Sequence, residues 1–272
     1  MIRAVQRDLD VAISNRLATT RRLLWVDILR EIGIIAAVYL VYSWSRGSID
    51  ADATIAYDHA RDIVQAENNL GIFVEPHIQS FFLKNSFNIN LANTLYTIVC
   101  YPALLLFAVW CYRRHREQFK TMRNVFVVIT LLAVTVFALF PTSPPRFFDG
   151  NNIGAENLGF VDTLVTNWHV YGNSSQAFYN PYAAMPSCHF AWALMMGIGI
   201  WWMTRSIWGR MIGVLLPVAT FVAIVATANH YILDAVGGAT VVGLSFGIVV
   251  LLQRRYAGKK TLSTVSNTNK DA

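Results

Sequence analysis

Six apolar runs dominate this chain and leave it few ways to fold. They are Ile32–Trp44 with the flanking Leu23–Ile28, then Leu91–Tyr112, Val125–Phe140, Met185–Met203, Ile212–Ala228 and Tyr231–Leu252. A hydrocarbon slab about 30 Å thick needs roughly 20 apolar residues to cross as a helix. Inside it, backbone groups must satisfy one another, which helices do and irregular chain does not. Only 14% of the 272 residues are charged and the mean hydropathy is +0.41, so no soluble core accounts for the runs. The fold class expected is all-α: a polytopic membrane protein with six transmembrane helices. The first run is the weakest, because Asp27, Arg30 and Glu31 fall in or beside it and must sit at the interface or face protein.

The intervening segments divide into three kinds. Residues 1–30 set Ile2, Val5, Leu9, Ile13 and Leu17 among Arg3, Arg7, Arg16, Arg21 and Arg22. That spacing makes a basic amphipathic helix, suited to an anionic membrane surface or to packing on the bundle. Residues 47–90 read as a helical cap on one membrane face. Helical periodicity over Ala53–Asn69 carries too many charges to cross, Leu70-Gly71 is a stop signal, and Val74–Leu83 is a second short helix. His59 and His77 have no metal-ligand spacing there and are expected to be structural or interfacial. Residues 149–182 form a loop, and 254–272 are expected to be a disordered polar tail. The catalytic membrane domain is thus residues 31–253.

The net charge of +6 invites a nucleic-acid reading, but the distribution of basic residues opposes it. Of 22 Lys and Arg, 18 lie in the N-terminal segment, the 113–123 turn, the 204–210 turn and the tail. The other side holds Arg46, Arg61, Lys84 and Arg146. Excess positive charge marks the cytoplasmic side. Both termini are therefore expected to be cytoplasmic, with the loops bearing Arg146, His189 and His230 extracytoplasmic. Cys100, Cys111 and Cys188 show neither metal-ligand spacing nor a disulfide framework.

Three polar clusters mark span ends on that outer face: Pro144-Pro145-Arg146, Met185-Pro186-Ser187-Cys188-His189, and Asn229-His230-Tyr231-Ile232-Leu233-Asp234. His230 and Asp234 are one helical turn apart, so the carboxylate can accept from Nδ1 and leave Nε2 to attack. Pro186 fits the first turn of a helix, which would turn the backbone N–H groups of Ser187, Cys188 and His189 outward as a phosphate site. Arg146 would add a guanidinium clamp. Together these point to phosphoryl transfer, with His230 as nucleophile and His189 as acid and base. Tyr179, Asn180 and Asn229 are candidates to line the substrate. His169 and Trp168, in the long loop, are placed to reach a head group. Tyr231 and Trp192 read as packing aromatics. No metal or cofactor is called for. The non-enzymatic alternative is a lipid-binding scaffold or transporter on the same bundle. Transporters show repeated halves with broken helices near the midplane, whereas here the polar residues gather at one face.

Pro186-Ser187-Cys188-His189 and His230-x-x-x-Asp234 resemble the Pro-Ser-x-His and His-x-x-x-Asp motifs of the type 2 phosphatidic acid phosphatase superfamily. Pro144-Pro145-Arg146, Asn180 through Trp192, Asn229 through Gly238, Glu67-x-x-Leu70-Gly71-Ile72 and Glu75-Pro76 resemble its inositol phosphorylceramide synthase-like branch and that branch's bacterial relatives. The resemblance implies six spans in a bacterial plasma membrane and a metal-independent phosphohistidine on His230. It also implies Asp234 as its orienting partner, His189 as acid/base, and a membrane lipid phosphate as substrate, with water or an alcohol as acceptor. Where the phosphatases carry a motif Lys and a motif Arg, this chain has Leu139 and Ile224. That argues against a plain phosphatidic acid phosphatase. Ser187 reads as a phosphate-contacting hydroxyl, since no nucleophile elbow surrounds it.

Overall fold

The computed structural model describes residues 25–43, 52–150, 156–163 and 181–268. The basic segment up to Leu24 lies outside them, as do Trp168, His169, Tyr179 and Asn180. The chain divides into two units after Val41. Within the first, residues 25–41 of helix α1 (25–43) include Arg30 beside both Glu31 and Asp27, at 3.0 and 3.8 Å.

The second unit is helical throughout its named elements. Helices α2 (Ala53–Leu70) and α3 (Glu75–Leu83) occupy the 47–90 segment, called the cap below. Asp52 opens α2 by accepting from the Thr54 N–H at 2.8 Å, and Gly71 closes it at φ +69°, a conformation that glycine adopts without strain. Helix α4 (Ser86–Ile98) passes through a π-helical turn, Val99–Ala103, into α5 (Leu104–Arg114). Pro102 sits in that turn, supplies no N–H, and accompanies a 47° bend. The span expected over Leu91–Tyr112 thus falls on a bent pair of helices. Helix α6 (Arg116–Leu139) absorbs most of the basic turn, leaving only His115 between helices. Next come α7 (Cys188–Met203), α8 (Ile207–Ala226) and α9 (Ile232–Thr268).

Among the described residues, Arg116–Leu139, Ile207–Ala226 and Ile232–Tyr256 are each long and apolar enough to cross a membrane, and the bent pair adds a fourth if it crosses as one span. Six spans are expected, and the described helices account for three or four of them. Charges interrupt the first run, and α7, at 16 residues, is about 24 Å long. The surface is that of a membrane protein: Leu106, Leu139, Trp208 and Leu251 are exposed although large and apolar. Helix α9 runs on to Thr268, into the segment expected to be a polar tail.

Two apolar clusters grip the turn between α8 and α9. One packs Tyr57, Ala60 and Ile63 of the cap against Phe148, Phe160, Ala228 and Tyr231. The other packs Ile224, Val225 and Ala235 against Ile78, Tyr96 and Phe190. Gly238 lets α9 approach α7. A Cβ there would stand 2.8 Å from the Ser187 carbonyl oxygen, closer than real Cβ contacts come.

Candidate active site

His230 lies in the short turn before α9, and its backbone is fixed from behind. The N–H groups of Asn229 and His230 both donate to the Ile224 carbonyl, at 3.0 and 3.2 Å, and Ala228 takes φ 53° to make the turn. The imidazole is 5% exposed, with Nδ1 2.9 Å from the Ala184 carbonyl oxygen and 3.3 Å from Asp234 Oδ2. Both partners only accept, so Nδ1 must carry the proton and Nε2 the lone pair. The i,i+4 pairing expected of His230 and Asp234 is present. Its second anchor, the Ala184 carbonyl, has no signature in side-chain identity and went unforeseen.

His189 comes from the first turn of α7. Its ring stacks on Tyr96 of α4, with centroids 4.1 Å apart and planes inclined 23°. Its centroid is 5.7 Å from that of His230, so an imidazole from α7 and one from the turn before α9 share one locus. Tyr96 was not singled out from sequence, because an aromatic inside an apolar run carries no distinguishing pattern.

The start of α7 differs from expectation. Pro186 lies outside the helix, after a cis peptide bond with Met185, and Ser187 is the N-cap. The Ser187 hydroxyl accepts from the Phe190 N–H at 3.3 Å, and its own N–H donates to the Asp234 carbonyl at 2.9 Å. Ser187 is fully buried. It therefore ties α7 to α9 rather than turning its N–H toward a ligand. A serine outranks a residue preceding proline as a cap, which moves the helix start two residues on. Cys188 is buried in the first turn of α7.

Arg146 sits on a 3₁₀ turn, Pro145–Phe147, and is brought to the site by backbone pairing. Its N–H donates to the Ala228 carbonyl at 2.8 Å. Thr142 pairs with the segment leading into α7, through Thr142 N–H to Tyr182 O at 2.7 Å and Ala184 N–H to Thr142 O at 3.2 Å. Its guanidinium donates from Nη1 to Asn229 Oδ1, and Nε lies 3.1 Å from Asp162 Oδ2. Asn229 in turn donates to Thr227 Oγ1 at 2.7 Å, so it braces Arg146. Asp162 is the carboxylate that sequence reasoning missed. It is held in place by Gln79, which bonds Val161 at both N–H and carbonyl, and by Thr163 donating to Asn93 at 3.0 Å.

Leu139 is exposed at the end of α6 and Ile224 is fully buried in the apolar cluster, so neither position brings a cation to the rings. His59 stacks on Phe140 with Nδ1 2.8 Å from the Pro141 carbonyl oxygen, a structural role as expected. Among the described residues, no group of three or more His, Cys, Asp or Glu is placed to hold a metal ion.

A sequence profile of the PAP2 superfamily matches residues 61–248, which takes in α2 from Arg61 onward, α3 and all three polar clusters. No curated protein and no solved structure matches the chain.

Proposed function

The chain belongs to the PAP2 superfamily, and from that premise we propose that it is a membrane phosphatase or phosphotransferase that works on a lipid phosphate through a phosphohistidine at His230. Membership supports a phosphatase-type activity on lipid phosphates in general; the steps that follow are our reading of the site. The observation that carries it is the 5.7 Å approach of the His189 and His230 rings, with Nδ1 of His230 anchored on Asp234 and Ala184.

His230 Nε2 attacks phosphorus from about 3–3.5 Å. As the P–N bond forms, the P–O bond to the lipid breaks, and protonated His189 gives its proton to the leaving oxygen. Asp234 stabilises the charge that gathers on the His230 ring. Water or an alcohol then enters on the same side as the departed group. His189 takes its proton, the P–N bond breaks, and His230 is restored with phosphate or a new ester as product. Arg146, braced by Asn229 and Asp162, offsets negative charge on the phosphoryl oxygens. Ser187 acts through the helix junction rather than as a nucleophile. No step requires a metal.

The finer assignments rest on the same reading. Six spans, cytoplasmic termini and an extracytoplasmic site follow from the apolar runs and the basic bias. Inositol-phosphate-type transfer follows from the branch resemblance and from Leu139 and Ile224. The test is phosphate release from a panel of purified lipid phosphates, in a chelator, with and without an added alcohol acceptor. Loss of turnover by about 10⁴-fold or more in His230→Ala, and by about 10²–10⁴-fold in His189→Ala, is expected. Full activity in either variant overturns the mechanism. A transferred ester in the acceptor arm identifies a transferase, and phosphate alone a phosphatase.

A further inference from the structure

The first turn of α9 is held in an unusual way. The N–H groups of three consecutive residues each donate to a different carboxyl group. Tyr231 N–H donates to Asp234 Oδ2 at 2.9 Å, Ile232 N–H to Glu75 Oε1 at 3.0 Å, and Leu233 N–H to Glu67 Oε1 at 2.7 Å. A helix start ordinarily takes one capping oxygen from its own N-cap residue. Here two of the three come from the cap, one from the last turn of α2 and one from the first turn of α3. All three side chains are fully buried.

Three ionised carboxylates at one dry helix end would repel one another and cost far more than the capping bonds return. The geometry avoids this by pairing two of them. Glu67 lies within hydrogen-bonding reach of Glu75, and burial, that bond and the nearby charge of Asp234 push its carboxyl up to about 9. Glu67 thus keeps its proton beside Glu75, and the second oxygen of each, Oε2, is buried with no hydrogen-bond partner of its own. The groups facing this pair are Asp234 and Tyr231 of the α9 turn, with His230 beyond Asp234. The pair is neutral enough to stay buried and keeps an acceptor on each of two backbone N–H groups. Those groups flank the residues that matter, since Leu233 adjoins Asp234 and Ile232 lies between them and His230.

We infer that Glu67 and Glu75 are positioning residues for the reaction: from the cap, they grip the first turn of α9 and hold the His230–Asp234 pair against Ala184 and opposite His189. This rests on the assignment of His230 as nucleophile. Neither carboxyl reaches the substrate, because both are sealed from solvent. The cap is then part of the catalytic apparatus and not only a cover over it.

The test uses the full-length protein in detergent, comparing wild type with Glu67→Gln, Glu67→Asp, Glu67→Ala and Glu75→Gln. Two readouts are taken: kcat and KM on a lipid phosphate, and the tautomer of the His230 imidazole by ¹⁵N NMR, its signal assigned by its loss in His230→Ala. A glutamine keeps both the acceptor for Leu233 and a donor toward Glu75. Glu67→Gln is therefore expected to hold kcat within about threefold of wild type and leave the tautomer unchanged. Aspartate is one methylene too short, and alanine offers nothing. Both are expected to lower kcat by about 10- to 100-fold with KM within about threefold, the cost of an ångström-scale misplacement, and to mix the His230 tautomers. Wild-type kcat in Glu67→Asp, a loss in Glu67→Gln as deep as in Glu67→Ala, or an unchanged His230 signal in Glu67→Asp would overturn the inference. Should Glu67→Ala fail to fold, the aspartate and glutamine variants decide. Should wild type release no phosphate from any lipid phosphate, the functional reading fails by itself and the NMR arm still judges the positioning.

Discussion

At the scale of single residues, the account turns on which proton sits where. The Nδ1 proton of His230 is fixed by two acceptors that cannot donate, and the lone pair on Nε2 follows from that. Arg146 is held by its fork, with Asn229 on one arm and Asp162 at Nε. A lysine presents a single point charge and cannot span both. Arg146→Lys is expected to lower kcat/KM by about 30-fold, equivalent to about 2 kcal/mol of charge-assisted bonding; a change below threefold would remove Arg146 from the phosphate site. Glu67 gives a prediction of opposite character. Its folded-state value of about 9 lies above its ordinary 4.5, so the native protein keeps a proton that the unfolded chain releases. That contribution to stability is fully present below about pH 4.5 and is lost as pH rises through about 9. The Tm of wild type should therefore fall from about pH 6 to about pH 9, and Glu67→Gln should flatten the decline. An equally steep decline in the variant contradicts the retained proton.

At the scale of elements, the site is a junction of helix starts. Helices α7 and α9 meet N-terminus to N-terminus, tied by Ser187 N–H to Asp234 O and drawn together at Gly238. A methyl at Gly238 would press on a backbone oxygen that cannot move without shifting the Ser187 cap. Gly238→Ala is expected to destabilise by about 1–3 kcal/mol, read as a lowered denaturation midpoint, whereas Gly243→Ala, with open space around it, should stay near wild type. The helices themselves were largely legible in sequence, because the cap's stop at Gly71 and the spacing of His230 and Asp234 are local properties of the chain. The start of α7 was not, because Pro186 and Ser187 each signal a helix start and only the packing of Asp234 against Ser187 shows which one prevails. Asp162, Tyr96 and the Ala184 carbonyl were illegible for a related reason. Each reaches its partner across a distance in sequence that only the tertiary fold defines. Glu67 and Glu75 stood out as motif residues, but their role became readable only when the first turn of α9 was seen resting on them.

At the scale of the whole molecule, the concentration of Lys and Arg in the two terminal segments and in the 113–123 and 204–210 turns accounts for the net charge. If that bias sets orientation, cysteines placed at Lys84 and Lys120, in a background lacking the three native ones, should differ toward an impermeant maleimide on intact cells. Position 84 is expected to label and position 120 to stay protected; the reverse pattern would turn the protein over. In the reading proposed above, the cap, the α7–α9 junction and the Arg146 turn would then face outward and seat the phosphate of a lipid. Its central claim is that a phosphoryl group passes through His230. The most direct measurement is to quench turnover of a ³²P-labelled lipid phosphate in alkali and map the labelled peptide. An acid-labile, base-stable label on His230, absent from His230→Ala, is the predicted result; label on Ser187, or none under conditions where turnover proceeds, would contradict it.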